Sequence, residues 1–180
     1  MTGIKKLFLI GPMGSGKSAV GRRLASQLGL SFYDSDDEIE ARTGVDISYI
    51  FEKEGESGFR KRESAIIAEL AVLDGIVLAT GGGAAEDPDT RHLLRANGTV
   101  IYLYTGIEEQ QRRTHKSRNR PLLNNGDPAE VLERLMHSRD PQFREIADLI
   151  VTTDGRQVAA VTQEIQKKLA AGSAGDVADS

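Results

Sequence analysis

The sequence predicts an α/β domain built on a mostly parallel sheet of five strands, and three observations predict it. Short apolar runs alternate with longer stretches of helical periodicity, the pattern left by strands joined through crossover helices. The first run, LFLI, leads directly into a glycine-rich turn and then an amphipathic helix. At 180 residues and 39% apolar content the chain suits one domain with a sizeable core.

The elements follow in order. The first strand covers 6–10. After the glycines at 11, 14 and 16, Val20, Leu24 and Leu28 share one helical face. A second strand, 31–34, precedes a short helix over 37–43 stopped by Gly44, another over 47–54 stopped by Gly55, and a longer one over 58–73 ended by Asp74-Gly75. The third strand, 76–80, runs into Gly81, Gly82 and Gly83, and the fourth spans 100–104, where Tyr102 and Tyr104 alternate as packing residues.

The segment HKSRNRPLLNNGD (115–127) is polar, basic at first, and too long for a plain connector. It reads as a mobile surface loop. Asp127-Pro128 suits the N-cap and first position of a helix carrying Val131, Leu132, Leu135 and Met136. A fifth strand, 149–152, is followed by a helix with Val158, Val161, Ile165 and Leu169 on one face. The Gly/Ala/Ser/Asp-rich 172–180 predicts a disordered tail, leaving a single domain over 1–171.

Composition excludes several classes. A net charge of -4 and an isoelectric point near 5.5 argue against a general nucleic-acid or membrane-surface binder. With no cysteine there is no disulfide, thiolate catalysis or Cys-based zinc site, and the three histidines lack metal-ligand spacing. No stretch approaches the roughly 20 apolar residues of a membrane span, and the apolar run near the start is too short for a signal sequence. The expectation is a soluble, cytoplasmic monomer with small-molecule partners, no nucleic acid and no membrane.

Gly11 to Ser18, GPMGSGKS, fits G-x-x-x-x-G-K-[ST] and lies between a strand and a helix, the context its chemistry requires. Glycines let consecutive backbone N–H groups curl around phosphate oxygens, and the helix N-terminus adds a favourable dipole. Lys17 would reach the β/γ-phosphates and Ser18 would ligand Mg²⁺. The alternative is a glycine-rich turn with a solvated lysine. The fold class thus narrows to a P-loop, three-layer α/β/α architecture.

Length and the missing N-K-x-D signature point from motors and switches toward a small-molecule kinase. Asp34 and Asp36, in YDSDDEIE, end the second strand beside the P-loop. One carboxylate can order the water shell of Mg²⁺ while the other takes a hydrogen bond or proton from an acceptor hydroxyl. The competing reading is simple helix N-terminal charge. Gly81 to Gly83 let backbone approach a ligand, or form a flexible turn. Arg60 and Arg139 are either surface arginines or a bidentate clamp on a substrate carboxylate. Phe51 and Phe59 line a pocket or fill the core.

GPMGSGKS, the spaced pair in DSD, FRKRE, the GGG after a strand, RNRPLL and RDPQFRE stand in the order and context of shikimate kinases. The chain resembles that family from about residue 4 to residue 168. The resemblance implies transfer of the ATP γ-phosphoryl group to the 3-hydroxyl of shikimate, a step of chorismate and aromatic amino-acid biosynthesis. It assigns the nucleotide to Gly14, Ser15, Gly16, Lys17, Ser18 and Ala19, with Arg113 against adenine and Gln157 on the adenine-side loop. Mg²⁺ falls to Ser18 and, through water, Asp34. Shikimate falls to Asp36, Arg60, Arg139 and Gly81 to Gly83. Arg120 becomes the catalytic arginine of a lid over about 114–127, with Arg118 a nearby competitor, while Lys17 and Asp36 complete the catalytic set. Two rivals stay open: a related kinase for gluconate, another hydroxylated acid or a nucleotide, and a non-catalytic nucleotide-dependent module. TTDGRQ lacks the proline that many relatives carry after its basic residue, which leaves Arg156 and Gln157 open.

Overall fold

The computed structural model describes residues 5–115 and 126–175. Strands β1 (Lys6–Ile10), β2 (Ser31–Asp34), β3 (Ile76–Ala79), β4 (Thr99–Tyr104) and β5 (Leu149–Thr152) form one sheet in the order β2-β3-β1-β4-β5. Every pairing is parallel. Helices α1 (Lys17–Leu28), α2 (Ser35–Thr43), α3 (Ile47–Leu70), α4 (Pro88–Asn97), α5 (Ile107–Thr114), α6 (Pro128–Ile146) and α7 (Val158–Gly175) and a 3-10 turn, η1 (Ala84–Glu86), complete the described chain.

Strand alternation sorts the core into two layers. Phe8, Ile10, Leu78 and Tyr102 face α3 and α6, packing with Ile50, Ile67 and Phe143. Their strand neighbours Leu7, Leu9, Val77, Ile101 and Leu103 face the other way, onto Val20, Leu24, Val161 and Ile165 of α1 and α7. After Lys6, central β1 is apolar from Leu7 to Ile10 because both its faces are covered. The result is the expected three-layer α/β/α arrangement, and the strand order turns at β1, where such sheets hold ligands at their C-terminal ends.

Helix ends differ from expectation at definite places. The two helices expected on either side of Gly55 run as one, kinked where Gly55 adopts φ 73° and ψ 178°. Arg139, expected between two helical patterns, lies inside α6, which continues through Pro141. It continues because buried Leu132, Arg139, Phe143 and Ile146 keep helical spacing across the proline. Helix α7 runs to Gly175, past the boundary expected at 171, the strong helix formers Ala170 and Ala171 carrying it across that point. Phe51 and Phe59 pack on each other, ring centres 4.9 Å apart, with Phe59 buried in the core. Among the described residues no helix is long and apolar enough to cross a membrane.

Candidate active site

The loop after β1 is shaped by what its glycines allow. A Cβ on Gly11 would lie 2.6 Å from the carbonyl oxygen of Leu103, and Gly14 and Gly16 take left-handed φ of 80° and 84°. Gly16 is also the N-cap of α1 and carries no side chain to answer the first-turn N–H groups, which leaves those donors to the cleft. Lys17 bridges the loop, its Nζ donating to the carbonyls of Gly11 (2.7 Å) and Pro12 (2.8 Å) and to Ser15 Oγ (3.3 Å).

Asp34 does two things. One carboxylate oxygen accepts from the Ser18 hydroxyl; the other caps α2, accepting from the backbone N–H of Asp36 (2.9 Å) and Asp37 (3.1 Å). Asp34 therefore serves the N-terminus of α2 and touches the phosphate loop at the same time. Capping fixes the first turn of α2 and, with it, the direction of Asp36.

The acceptor side gathers around the glycines after β3. A Cβ at Gly81 would sit 2.5 Å from Glu63 Oε2 and 3.0 Å from Asp36 Oδ1; at Gly82, 3.2 Å from the backbone nitrogen of Met13 in the phosphate loop. At Gly83 it would strike both guanidinium groups, 2.7 Å from Arg139 Nη2 and 2.7 Å from Arg60 Cζ. Asp36, Arg60 and Arg139, from three different helices, thus meet on one turn that itself abuts the P-loop. The Gly81 amide already donates to Ser35 Oγ at 3.1 Å, so this glycine supplies room rather than a donor.

Two glutamates that sequence reasoning missed hold the arginines. Arg60 Nη1 donates to Glu63 Oε1 at 2.7 Å, and Arg139 Nε donates to Glu86 Oε1 at 3.0 Å. Glu63 and Arg139 are each only 3% exposed. Burial raises the Glu63 carboxyl against the pull of Arg60 and Arg139. Burial also opposes the Arg60 charge, but Glu63, Glu86 and Glu56 outweigh it and hold its pKa above the ordinary value. Glu63 was legible in FRKRE as the residue three places after Arg60, one turn along the same helix. Glu86 carried no such local sign.

Two adjoining clefts share Gly16 and Arg113. One, of about 370 Å³, is bordered by Lys17, Ser18, Ala19, Asp34, Asp36 and Gly81. The other, of about 560 Å³, is bordered by Thr153, Arg156, Gln157 and Val158. Arg113 donates to Glu109 (2.8 Å), to the Gly14 carbonyl (3.0 Å), and to Thr153 Oγ1 (3.1 Å) and carbonyl oxygen (2.9 Å). It ties the P-loop to the loop after β5. Arg156 instead folds against its own neighbourhood, on Thr152, Ala160 and Glu164. Arg118 and Arg120 lie outside the described residues. Among the described residues no group of three His, Asp or Glu side chains is arranged to hold a metal ion.

Comparison with known proteins agrees over most of the chain. The shikimate kinase family model matches residues 13–170. The chain is 56% identical over 167 residues to a shikimate kinase of Pseudomonas syringae pv. syringae, covering 93% of this chain and 97% of that protein. It is 54% identical over 168 residues to one of Chromohalobacter salexigens, covering 93% of each. The solved shikimate kinase from Acinetobacter baumannii in complex with shikimate superimposes with a TM-score of 0.92 at 44% identity, over 94% of this chain and 95% of that one. A gluconokinase from Sinorhizobium meliloti shares the fold alone, at 19% identity and a TM-score of 0.65. A phosphate loop could belong to any of several kinases, but agreement of this depth from Met13 to Ala170 means that the chain belongs to the shikimate kinase family.

Proposed function

We infer that the protein transfers the terminal phosphoryl group of ATP to the 3-hydroxyl of shikimate, giving shikimate 3-phosphate and ADP. The observation that carries this reading is the meeting of Arg60, Arg139 and Asp36 on the Gly81–Gly83 turn, against the phosphate loop. Two guanidinium forks suit one carboxylate of a small acid, and a carboxylate beside them suits one of its hydroxyls.

Phosphoryl transfer is mostly positioning and charge stabilisation. In this reading Lys17 and the α1 N-terminus stabilise charge on the phosphates, and Arg60 and Arg139 hold the shikimate carboxylate. Asp36 accepts the hydrogen bond, and finally the proton, of the attacking hydroxyl. Arg120 serves as the lid arginine, and Arg113 with Gln157 serves the adenine side. The oxygen pair of Ser18 and Asp34, lying within the phosphate cleft, fits a hard cation such as Mg²⁺, which takes few protein ligands. Bound there, Mg²⁺ would neutralise phosphate charge. The same reading carries the expectation of a cytoplasmic monomer that binds neither nucleic acid nor membrane; the net charge of -4 speaks against anionic partners, and the absence of cysteine fits a reducing compartment.

A coupled assay of ADP release tests it. Release should depend on shikimate, with kcat/KM far above that for gluconate or AMP. The reverse preference would make the protein a kinase of another acceptor, and release independent of any acceptor would remove the transfer step altogether.

A further inference from the structure

Strand β4 and helix α6 are joined by a polar chain that none of the assigned contacts includes. Tyr102 is fully buried, yet its hydroxyl donates to Asp140 Oδ1 at 2.7 Å. Asp140 Oδ2 accepts from Arg144 Nε at 2.9 Å, one turn further along α6. The Arg144 guanidinium lies over the rings of Tyr104 and Tyr102, 5.6 and 5.9 Å from their centres, and Phe143 packs on Tyr102 at 4.9 Å.

The position of this chain is what matters. Asp140 sits between Arg139 and Pro141, and Pro141 has no N–H to return to the carbonyl of His137. The helix ladder is therefore weakened beside the arginine that must be held most accurately. Arg139 is anchored on one side by Glu86, and its sequence neighbour is anchored on the other by Tyr102. Tyr102 pairs in register with Ile10, the last residue before the phosphate loop. One hydroxyl thus ties the segment bearing Arg139 to the strand pair from which the phosphate cradle springs. Burial, then the bond to the Asp140 carboxylate, raises the Tyr102 phenol, which stays a neutral donor at any ordinary pH.

We propose that Tyr102, acting through Asp140, is a positioning residue that sets where Arg139 presents its guanidinium relative to the phosphate loop. The inference rests on the reading of Arg139 as a clamp for the substrate carboxylate. It extends that reading to a strand residue buried between the sheet and α6, outside the lining of either cleft.

A double-mutant cycle in steady-state kinetics tests it, with wild type, Tyr102→Phe, Arg139→Ala and the double variant. Tyr102→Phe removes only the hydroxyl from a site that retains its ring packing. It should raise the shikimate KM about three- to tenfold, a fraction of what a full ångström of misplacement costs, and leave the ATP KM unchanged. In the Arg139→Ala background the same substitution should change the shikimate KM less than about twofold, because nothing remains to be positioned. Asp140→Ala, which removes the acceptor instead, should repeat the pattern and covers the case in which Tyr102→Phe fails to fold. Equal effects with and without Arg139, a matching rise in ATP KM, or no change in shikimate KM would reduce the bond to a structural one. If wild-type protein does not phosphorylate shikimate, the functional reading and this inference fall together; if only the cycle is additive, this inference falls alone.

Discussion

Gly81→Ala isolates the acceptor side of the cleft. The φ of Gly81 lies outside the left-handed region, so an alanine backbone fits and only the new methyl group acts. That methyl would stand 2.5 Å from Glu63 Oε2 and 3.0 Å from Asp36 Oδ1, whereas ordinary contact begins at 3.4 Å. The glutamate oxygen must then retreat by about 0.9 Å and the aspartate oxygen by about 0.4 Å, and Glu63 is buried with little space behind it. Overpacking of this kind costs about 1–3 kcal/mol, which lowers Tm by about 2–12 °C in a domain of this size. Displacing a reacting group by about an ångström costs up to about 10²-fold. We therefore expect kcat/KM for shikimate to fall about 10- to 100-fold, while ADP affinity, measured by calorimetry, stays within about twofold because Lys17 and the α1 N-terminus are untouched. A folded variant with shikimate kinetics within threefold of wild type would refute the placement of Asp36 and Glu63 against the acceptor.

The two halves of the cleft should separate on mutation. Lys17→Ala should weaken ATP binding and lower kcat together, whereas Arg60→Ala should raise the shikimate KM about 10- to 100-fold, the loss of a charge-assisted pair, with the ATP KM unchanged; equal effects on both substrates would deny Arg60 its side of the site. Arg60→Ala should also lower Tm, because it leaves buried Glu63 without its 2.7 Å partner. Asp87 caps α4 through the Asp89 N–H and accepts from Ser64 and Thr90. Burial pushes its carboxyl up, but those bonds outweigh it and hold the pKa below 3.8. Its stabilisation is thus complete above 3.8 and is lost as pH falls through the lower folded value. Asp87→Ala should therefore cost about 1 kcal/mol at neutral pH, and melts across the acid range should show the Tm gap narrowing below about pH 3.8; a constant gap would mean the carboxylate charge plays no part.

Much of this protein was legible because much of it is locally determined. The strand at 6–10, the glycines that follow, Lys17 and Ser18 form the phosphate loop from consecutive residues, and a run of N–H groups needs no distant help to curl around an anion. Asp127-Pro128 announced the start of α6 for the same reason: a cap and a fixed φ act on the adjoining turn. Asp87-Pro88 is the same signal at the head of α4, with Gly98 at its end, and sequence reading passed over it.

The acceptor half was legible only as candidates. Arg60 and Arg139 are individually indistinguishable from surface arginines, and no spacing between them means anything until α3 and α6 pack on the same face of the sheet. Parallel strands with helical crossovers bring the C-terminal ends of β1, β2 and β3 together, so Gly11, Asp34 and Gly81 become neighbours through the sheet. Glu86 and Tyr102 acquire their roles only in that packing, since each answers a residue on another element. Sequence alone determined the phosphate cradle, whose glycines, lysine and serine are supplied by one continuous stretch, 11–18, although Arg113 and Asp34 brace it from other elements. Tertiary structure decided the acceptor pocket, because the distances that make it are set by how the layers pack and not by any neighbouring residue.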